Sequence, residues 1–245
     1  MTISTDTANT PTGYIARASS SSSPWSTAVA RAPSMSDAID NAVAELEDAA
    51  ARGAVSTSML RPRPPAPGES LDAWLRWHDL LDHGFAFDEL VRPGDRRRAM
   101  PPRKLWPNIA ATLAAAMLLR SWILEAGARG LVVRAAYRAG GGVSSSRHAV
   151  FAALDLDLTA DDYERRHLGA AYLGAGARIY RQHADDLRLG VGSYHPPGTW
   201  STRRLHLDAG TGSPRPDAWQ IHGGTGADPD YVKPPAITTI NERCP

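Results

Sequence analysis

His148, Asp155, His206 and Asp208 are the residues whose types and neighbours could do chemistry in this chain. They fall in two short stretches. The first is Ser146-Arg147-His148, then the apolar run Ala149 to Leu154, then Asp155-Leu156-Asp157. A histidine and an aspartate at this separation are common and by themselves prove little. Their setting says more. Phe151 to Leu158 reads as a strand, so Asp155 and Asp157 share one of its faces by the period-two rule. Two carboxylates on one face of an apolar strand are costly to bury without a cation or hydrogen-bond donors. The second stretch, Leu205-His206-Leu207-Asp208, reads as another short strand with His206 and Asp208 on one face. Two imidazoles and one carboxylate make a standard catalytic zinc set, with a fourth position left for water. Zinc would bring the pKa of that water towards about 7 and polarise a carbonyl.

The elements that must position these residues are legible around them. Leu131 to Tyr137 is a predicted strand, followed by a flexible loop through Gly140–Gly142 and Ser144–Ser146. A helix is predicted from Asp162 to about His183, with acids in its first turn as the helix dipole favours. Leu187 to Tyr194 and Arg204 to Asp208 read as two further strands. Ile109 to Leu124 is the most apolar helix, interrupted by Thr112, Arg120 and Ser121. At about 16 residues it falls short of the roughly 20 a bilayer needs, so it is expected to be a core helix and not a membrane span. Helices mixed with short strands, without regular βαβ alternation, predict an α+β fold. The expected architecture is a small antiparallel sheet flanked by helices with a single-metal cleft, plus an N-terminal extension.

Residues 1–33 are rich in Ser, Thr and Ala and are expected to be disordered on their own. Met35, Ile39, Ala42, Val43, Leu46 and Ala50 fall on one stripe at helical spacing, and Gly53 marks a stop. That stripe is mostly small, so the helix needs a partner surface. The proline-rich run Arg61 to Gly68 reads as an extended linker. The predicted division is therefore 1–65, an extension with one helix and no core of its own that serves as a docking segment; 66–220, the metal domain; and 221–245, an irregular tail. Ser70 is placed to cap a short helix with Leu71, Trp74 and Leu75 inward. His78 and His83, on or just after it, are read as structural.

Bulk numbers exclude little. With 27 basic against 26 acidic residues the formal charge is +1, which gives no general argument for nucleic acid or a membrane. The one local bias is Arg92 to Lys104, where six basic residues face only Asp95. It is read as a solvated loop, with contact to an anionic polymer as the other reading. The single cysteine, Cys244, permits no intrachain disulfide and no Cys-based metal motif. The first thirty residues have no basic stretch followed by an apolar one, so synthesis in the cytoplasm without a signal peptide is expected.

Taken in order, these segments resemble the zinc D-Ala-D-Ala carboxypeptidase superfamily, especially its small YcbK-like branch. The resemblance runs over roughly residues 83–220. It is carried by Tyr137-Arg138 ending a strand, Ser146-x-His148 with Asp155, Gly190-Val-Gly192-Ser-Tyr194, His206-Leu-Asp208 and Trp219. Phe85 to Leu90 is similar to the segment before the family's first long helix. The resemblance implies that His148, Asp155 and His206 bind Zn2+. It implies that Arg138 holds a substrate carboxylate or the developing oxyanion, and that Ser146 and Asp208 orient the ligands.

One departure bears on catalysis. The family usually has an acidic residue three positions before the second histidine, and here that position is Arg203. Asp157, Asp208 or His195 would have to serve as acid and base instead. Two main readings follow. In the first the chain is a zinc metallopeptidase, of D,D-carboxypeptidase or endopeptidase type, cutting stem peptides of bacterial peptidoglycan at the cell wall or from a phage-like particle. In the second it is a non-catalytic component of such a particle that keeps the peptidase fold and docks onto particle or tail proteins through its N-terminal extension. A zinc-dependent wall-binding module without catalysis is a third.

Overall fold

The computed structural model describes residues 3–10, 13–20, 27–32, 34–52, 62–81, 85–139, 146–159, 162–194, 202–209, 217–222 and 230–232. The chain divides into two compact units, Met1–His83 and Gly84–Pro245. The division lies later than the proline-rich run at which the sequence places it, and the reason is local. Trp74 donates its indole N–H to the carbonyl of Arg63 at 2.9 Å. Arg63 also pairs with Glu69 and lies over the Trp77 ring, 5.1 Å from its centroid. The proline-rich segment is thus held onto the short helix that follows through Arg63.

In the first unit, β1 (Ile3–Thr10), β2 (Gly13–Ser20) and β3 (Thr27–Ala32) form an antiparallel sheet in that order. The helix α1 (Met35–Arg52) lies against it, with Ala38 and Ala42 fully buried. The sequence predicts the helix but no regular structure before it. β-branched residues such as Thr5, Thr7, Ile15, Thr27 and Val29 suit a pleated strand, and the small-residue stripe of α1 allows close approach to the sheet. The short α2 (Leu71–Trp77) is capped by Ser70, whose Oγ accepts the Ala73 N–H at 3.1 Å. His78 is buried against Trp74, with ring centroids 4.6 Å apart; His83 lies outside the described residues.

The second unit begins with α3 (Phe87–Leu90) and a 3-10 turn, Arg103–Ile109, that runs into α4 (Ala110–Glu125). Then follow β4 (Gly130–Ala135), a 3-10 turn at Arg147–Val150, β5 (Ala153–Thr159) and α5 (Asp162–Leu187). Four strands complete it: β6 (Gly190–Ser193), β7 (Arg204–Asp208), β8 (Asp217–His222) and β9 (Asp230–Val232). The sheet order is β4-β5-β7-β6-β8-β9. Its first four strands pair antiparallel, as the α+β expectation requires, while β8 joins β6 in parallel. The segment after Gly210, expected to be irregular, contributes β8 and β9; residues 233–245, with Cys244, lie outside the described residues.

Both long helices cover one face of this sheet. Leu131, Val133, Leu154, Leu156, Leu205 and Leu207 are buried there. Gly176 of α5 makes the approach possible, because a Cβ at that position would stand 2.7 Å from Cδ1 of Leu205. α4 and the turn before it are long and apolar enough to cross a membrane by composition, and most of α4 is buried within this unit. The opposite face carries Asp155 and Asp157 on β5, facing His206 and Arg204 on β7.

A polar pin joins the two layers. Thr112 in α4 is fully buried. It donates its hydroxyl to the Ala152 carbonyl at 2.9 Å and accepts the Ala209 N–H at 3.0 Å. Those residues flank the start of β5 and the end of β7, the strands that carry Asp155 and His206. The Ala209 N–H also donates to the Ala152 carbonyl, at a long 3.4 Å. Thr112→Val therefore keeps the shape but leaves the two backbone groups only that weak bond, and it should cost about 1 kcal/mol. Thr112→Ser should cost distinctly less. Urea denaturation of the two variants checks this; equal losses would show that the hydroxyl is not what matters.

Candidate metal centre

His148 is delivered by the Arg147–Val150 turn. Asn108, just before α4, donates to the Val150 carbonyl at 2.9 Å and fixes the turn from the helical side. The turn closes on Phe151, whose φ of 55° is a left-handed conformation unusual for a bulky residue. His148 Nδ1 lies 2.7 Å from the Ala136 carbonyl. A carbonyl only accepts, so Nδ1 carries the proton and Nε2 presents a lone pair. That Nε2 is buried, makes no hydrogen bond among the described residues, and stands 3.3 Å from Oδ1 of Asp155. Burial holds the imidazole below its ordinary pKa, against the pull of Asp155. A neutral nitrogen lone pair facing a carboxylate is an arrangement that a cation between them satisfies.

Asp155 is the centre of the group. It is 4 % exposed and lies directly across the strand pair from His206. Its Oδ1 is 2.9 Å from His206 Nδ1 and 3.4 Å from the Tyr194 hydroxyl. Its Oδ2 accepts from Nη2 of Arg138 at 2.8 Å. Burial alone would raise its pKa, but the two imidazoles reverse that and hold it well below the usual carboxylate range.

His206 has carboxylates at both ring nitrogens. Nε2 is 3.1 Å from Oδ2 of Asp208, and Nδ1 faces Asp155. Burial works against its charge, yet the two carboxylates prevail and push its pKa up to about 9. Without a metal His206 is therefore an imidazolium. A cation at Nδ1 would replace that proton while Asp208 keeps the proton on Nε2, the usual way a carboxylate orients a metal-binding histidine. Asp208 has room only because its partner in β6 is glycine: a Cβ on Gly190 would come within 2.8 and 2.9 Å of the carboxylate oxygens.

One ligand atom from each of His148, Asp155 and His206 lies within 4.8 Å of the others, and all three residues are buried. The histidine rings are 5.1 Å apart and nearly perpendicular, at 74°. The donor set, the orphaned Nε2 and the paired carboxylates fit a single metal ion.

Arg138 is placed beside the group. Its backbone N–H donates to the His148 carbonyl at 3.2 Å, and its side chain is 34 % exposed. Its Nε is buried and makes no hydrogen bond among the described residues. Other candidates sit elsewhere. Asp157 is held by Arg204 through two contacts, Nη2 to Oδ2 at 2.9 Å among them, and by Arg134 at 3.2 Å. Arg203 is exposed before β7, with its carbonyl accepting the Leu158 N–H at 2.8 Å. The Ser146 side chain makes no capping hydrogen bond to the turn, while its carbonyl accepts the Ala149 N–H at 3.0 Å. His195 lies outside the described residues. Trp219 pairs through its backbone with Gly192. Sequence reasoning quoted Tyr194 only as part of a motif and gave it no contact with the site. It missed the Ala136 carbonyl altogether, since nothing in a sequence marks one carbonyl as special.

Comparison with known proteins returns no match: no family model, no curated protein and no solved structure matches the chain. The metal centre stands on its own geometry.

The charge on His206 gives a pH signature. Its folded pKa of about 9 exceeds the ordinary 6.5, so its stabilising contribution is fully present below about 6.5 and is lost as pH rises through about 9. His148 and Asp155 are shifted downward and act below that window. The melting temperature of metal-free protein should therefore fall between pH 6.5 and 9. Asp208→Asn should flatten the fall, and metal affinity should rise across the same window as the proton is displaced. A flat profile in metal-free wild type would contradict the doubly paired imidazole.

Proposed function

We propose that the second unit is a single-zinc peptidase acting on stem peptides of bacterial peptidoglycan. The observation that carries this is the convergence of two imidazoles and one carboxylate on a common point, in the composition of a catalytic zinc site. His148 Nε2, an Asp155 oxygen and His206 Nδ1 would hold the ion. Zinc there supplies a Lewis acid and a water made acidic enough to attack near neutral pH. The protein's own groups do the rest. Asp208 keeps His206 oriented, and the Ala136 carbonyl does the same for His148. Arg138 presents guanidinium N–H groups beside the ligands, suited to a peptide carboxylate or an oxyanion. The order of these residues is that of the zinc D-Ala-D-Ala carboxypeptidases, which supports the substrate class. Proton transfer falls to Tyr194, whose hydroxyl reaches Asp155, or to His195 or Asp208. The N-terminal unit, compact in its own right, is proposed to attach the domain to a cell-wall or phage-like particle assembly.

A second reading has a specific observation behind it. Arg203 occupies the family's acid position, and each described aspartate near the metal already has a partner: Asp155 as ligand, Asp208 on His206, Asp157 on Arg204. That arrangement suits a metal-bearing structural component that no longer turns over. Incubation of the zinc-loaded full chain with purified peptidoglycan separates the two. The peptidase reading expects release of D-amino acids or stem-peptide fragments, abolished by His148→Ala. Zinc-loaded wild type that releases nothing supports the structural component.

A further inference from the structure

The metal centre does not use the strongest charge feature of the second unit. Between the 92–98 segment and β4 lies a cavity of about 440 Å³ lined by Arg92, Arg96, Arg97, Arg98 and Arg134, with Asp95 the one acid. A smaller cavity of about 150 Å³ shares Arg134 and adds Arg203, Arg204 and Asp157. Asp95 is taken by Arg98 at 2.9 Å. Arg92, Arg96 and Arg97 are exposed, and their side chains form no ion pair among the described residues. Like charges gathered in a concavity raise the local potential and favour an anionic ligand.

The position of this groove is tied to the metal centre. Residues 92–98 form a closed loop: Arg92 N–H donates to the Arg98 carbonyl at 2.7 Å, and Gly94 takes the turn with φ of +81°. The Arg97 carbonyl accepts the Ala136 N–H at 2.8 Å, and the Ala136 carbonyl in turn accepts His148 Nδ1–H. On the sheet, Val132 stands opposite Asp157, and Arg134 reaches the same aspartate. Asp155 and Asp157 share a face two residues apart, about 7 Å along the strand. Asp157 thus joins the smaller cavity to the metal-bearing face, and Arg134 joins the smaller cavity to the larger one.

Its chemistry is already displayed once. Asp157 sits in the smaller cavity with Arg204 gripping it through Nε and Nη2 and Arg134 alongside. The guanidinium fork matches a carboxylate in this bidentate way. Arg92, Arg96 and Arg97 offer the same fork to an incoming group.

We propose that the arginine-lined groove binds the acidic groups of the peptide presented to the metal centre, so that the chain selects peptides carrying two or more free carboxylates. This rests on the peptidase reading for the identity of the ligand as a peptide. The test uses the zinc-loaded full chain, a fluorescent wall stem peptide with free carboxylates, and the same peptide with those carboxylates amidated. The free acid should bind about tenfold or more tightly than the amide, and high salt should narrow the gap. Arg96→Ala combined with Arg97→Ala should close it with an unchanged melting temperature, whereas His148→Ala should retain it. Equal binding of the two peptides to wild type, or an unchanged gap in the double variant, overturns the proposal. So does binding of inorganic pyrophosphate or an oligonucleotide with indifference to the free-acid peptide, which would make the ligand a phosphate. Selective binding without hydrolysis would sink the peptidase reading and leave the acidic-peptide subsite standing.

Discussion

The Asp155 carboxylate, 4 % exposed, is approached by His148, His206, Tyr194 and Arg138 at once. An isolated carboxylate buried to this extent would be costly, by several kcal/mol even after relaxation. The cost is offset only while its neighbours keep their positions. His206 is charged because two carboxylates flank it, and His148 is neutral because burial outweighs its one carboxylate neighbour. The result is a group in electrostatic balance with a proton on His206 that a metal ion can displace, and with one lone pair, on His148 Nε2, left for the ion.

Small, unglamorous contacts hold the balance in place. Thr112 ties α4 to both ligand-bearing strands, and Asn108 ties the same helical segment to the turn that carries His148. Gly190 leaves the volume that the Asp208 carboxylate fills, and Gly176 leaves the volume that Leu205 fills beneath the strand. These residues fix the elements that carry the site and are not themselves part of the His148, Asp155 and His206 cluster. Among the described residues of the second unit, the helix layer, the sheet and the candidate metal centre are therefore tied to one another.

Periodicity and apolar content made much of this unit legible. The apolar run at Ile109 to Leu124 matches α4, and Arg204 to Asp208 matches β7 residue for residue. Asp155 and His206 could be singled out because polar groups within apolar strands demand an explanation, while loop-borne His148 was joined to them as the third ligand by the family resemblance. Other features resisted. Residues 3–10, 13–20 and 27–32 form strands because a neighbouring helix and mutual pairing complete them, and a Ser/Thr/Ala composition does not announce either. Arg61 to Gly68 read as a linker because proline content dominates locally, while the partners that hold Arg63, the Glu69 carboxylate and the Trp74 indole, come from farther along the chain. β8 and β9 were illegible for a similar reason: short strands among Gly and Pro depend on an existing sheet edge. Asp157 shares a face with Asp155, as the period-two rule requires, but its capture by Arg204 is a cross-strand fact that no spacing along the chain reveals.

The most direct measurement of the central claim is metal content with local structure. The full chain would be reconstituted with zinc, freed of excess, assayed for bound metal and studied by X-ray absorption at the zinc edge. The account predicts one zinc per chain, with two nitrogen ligands at about 2.0–2.1 Å and a carboxylate oxygen at about 2.0–2.2 Å. It also predicts loss of that zinc in His206→Ala. Failure of the wild type to retain metal, or retention of the same zinc signature by His206→Ala, would contradict a centre built on His148, Asp155 and His206.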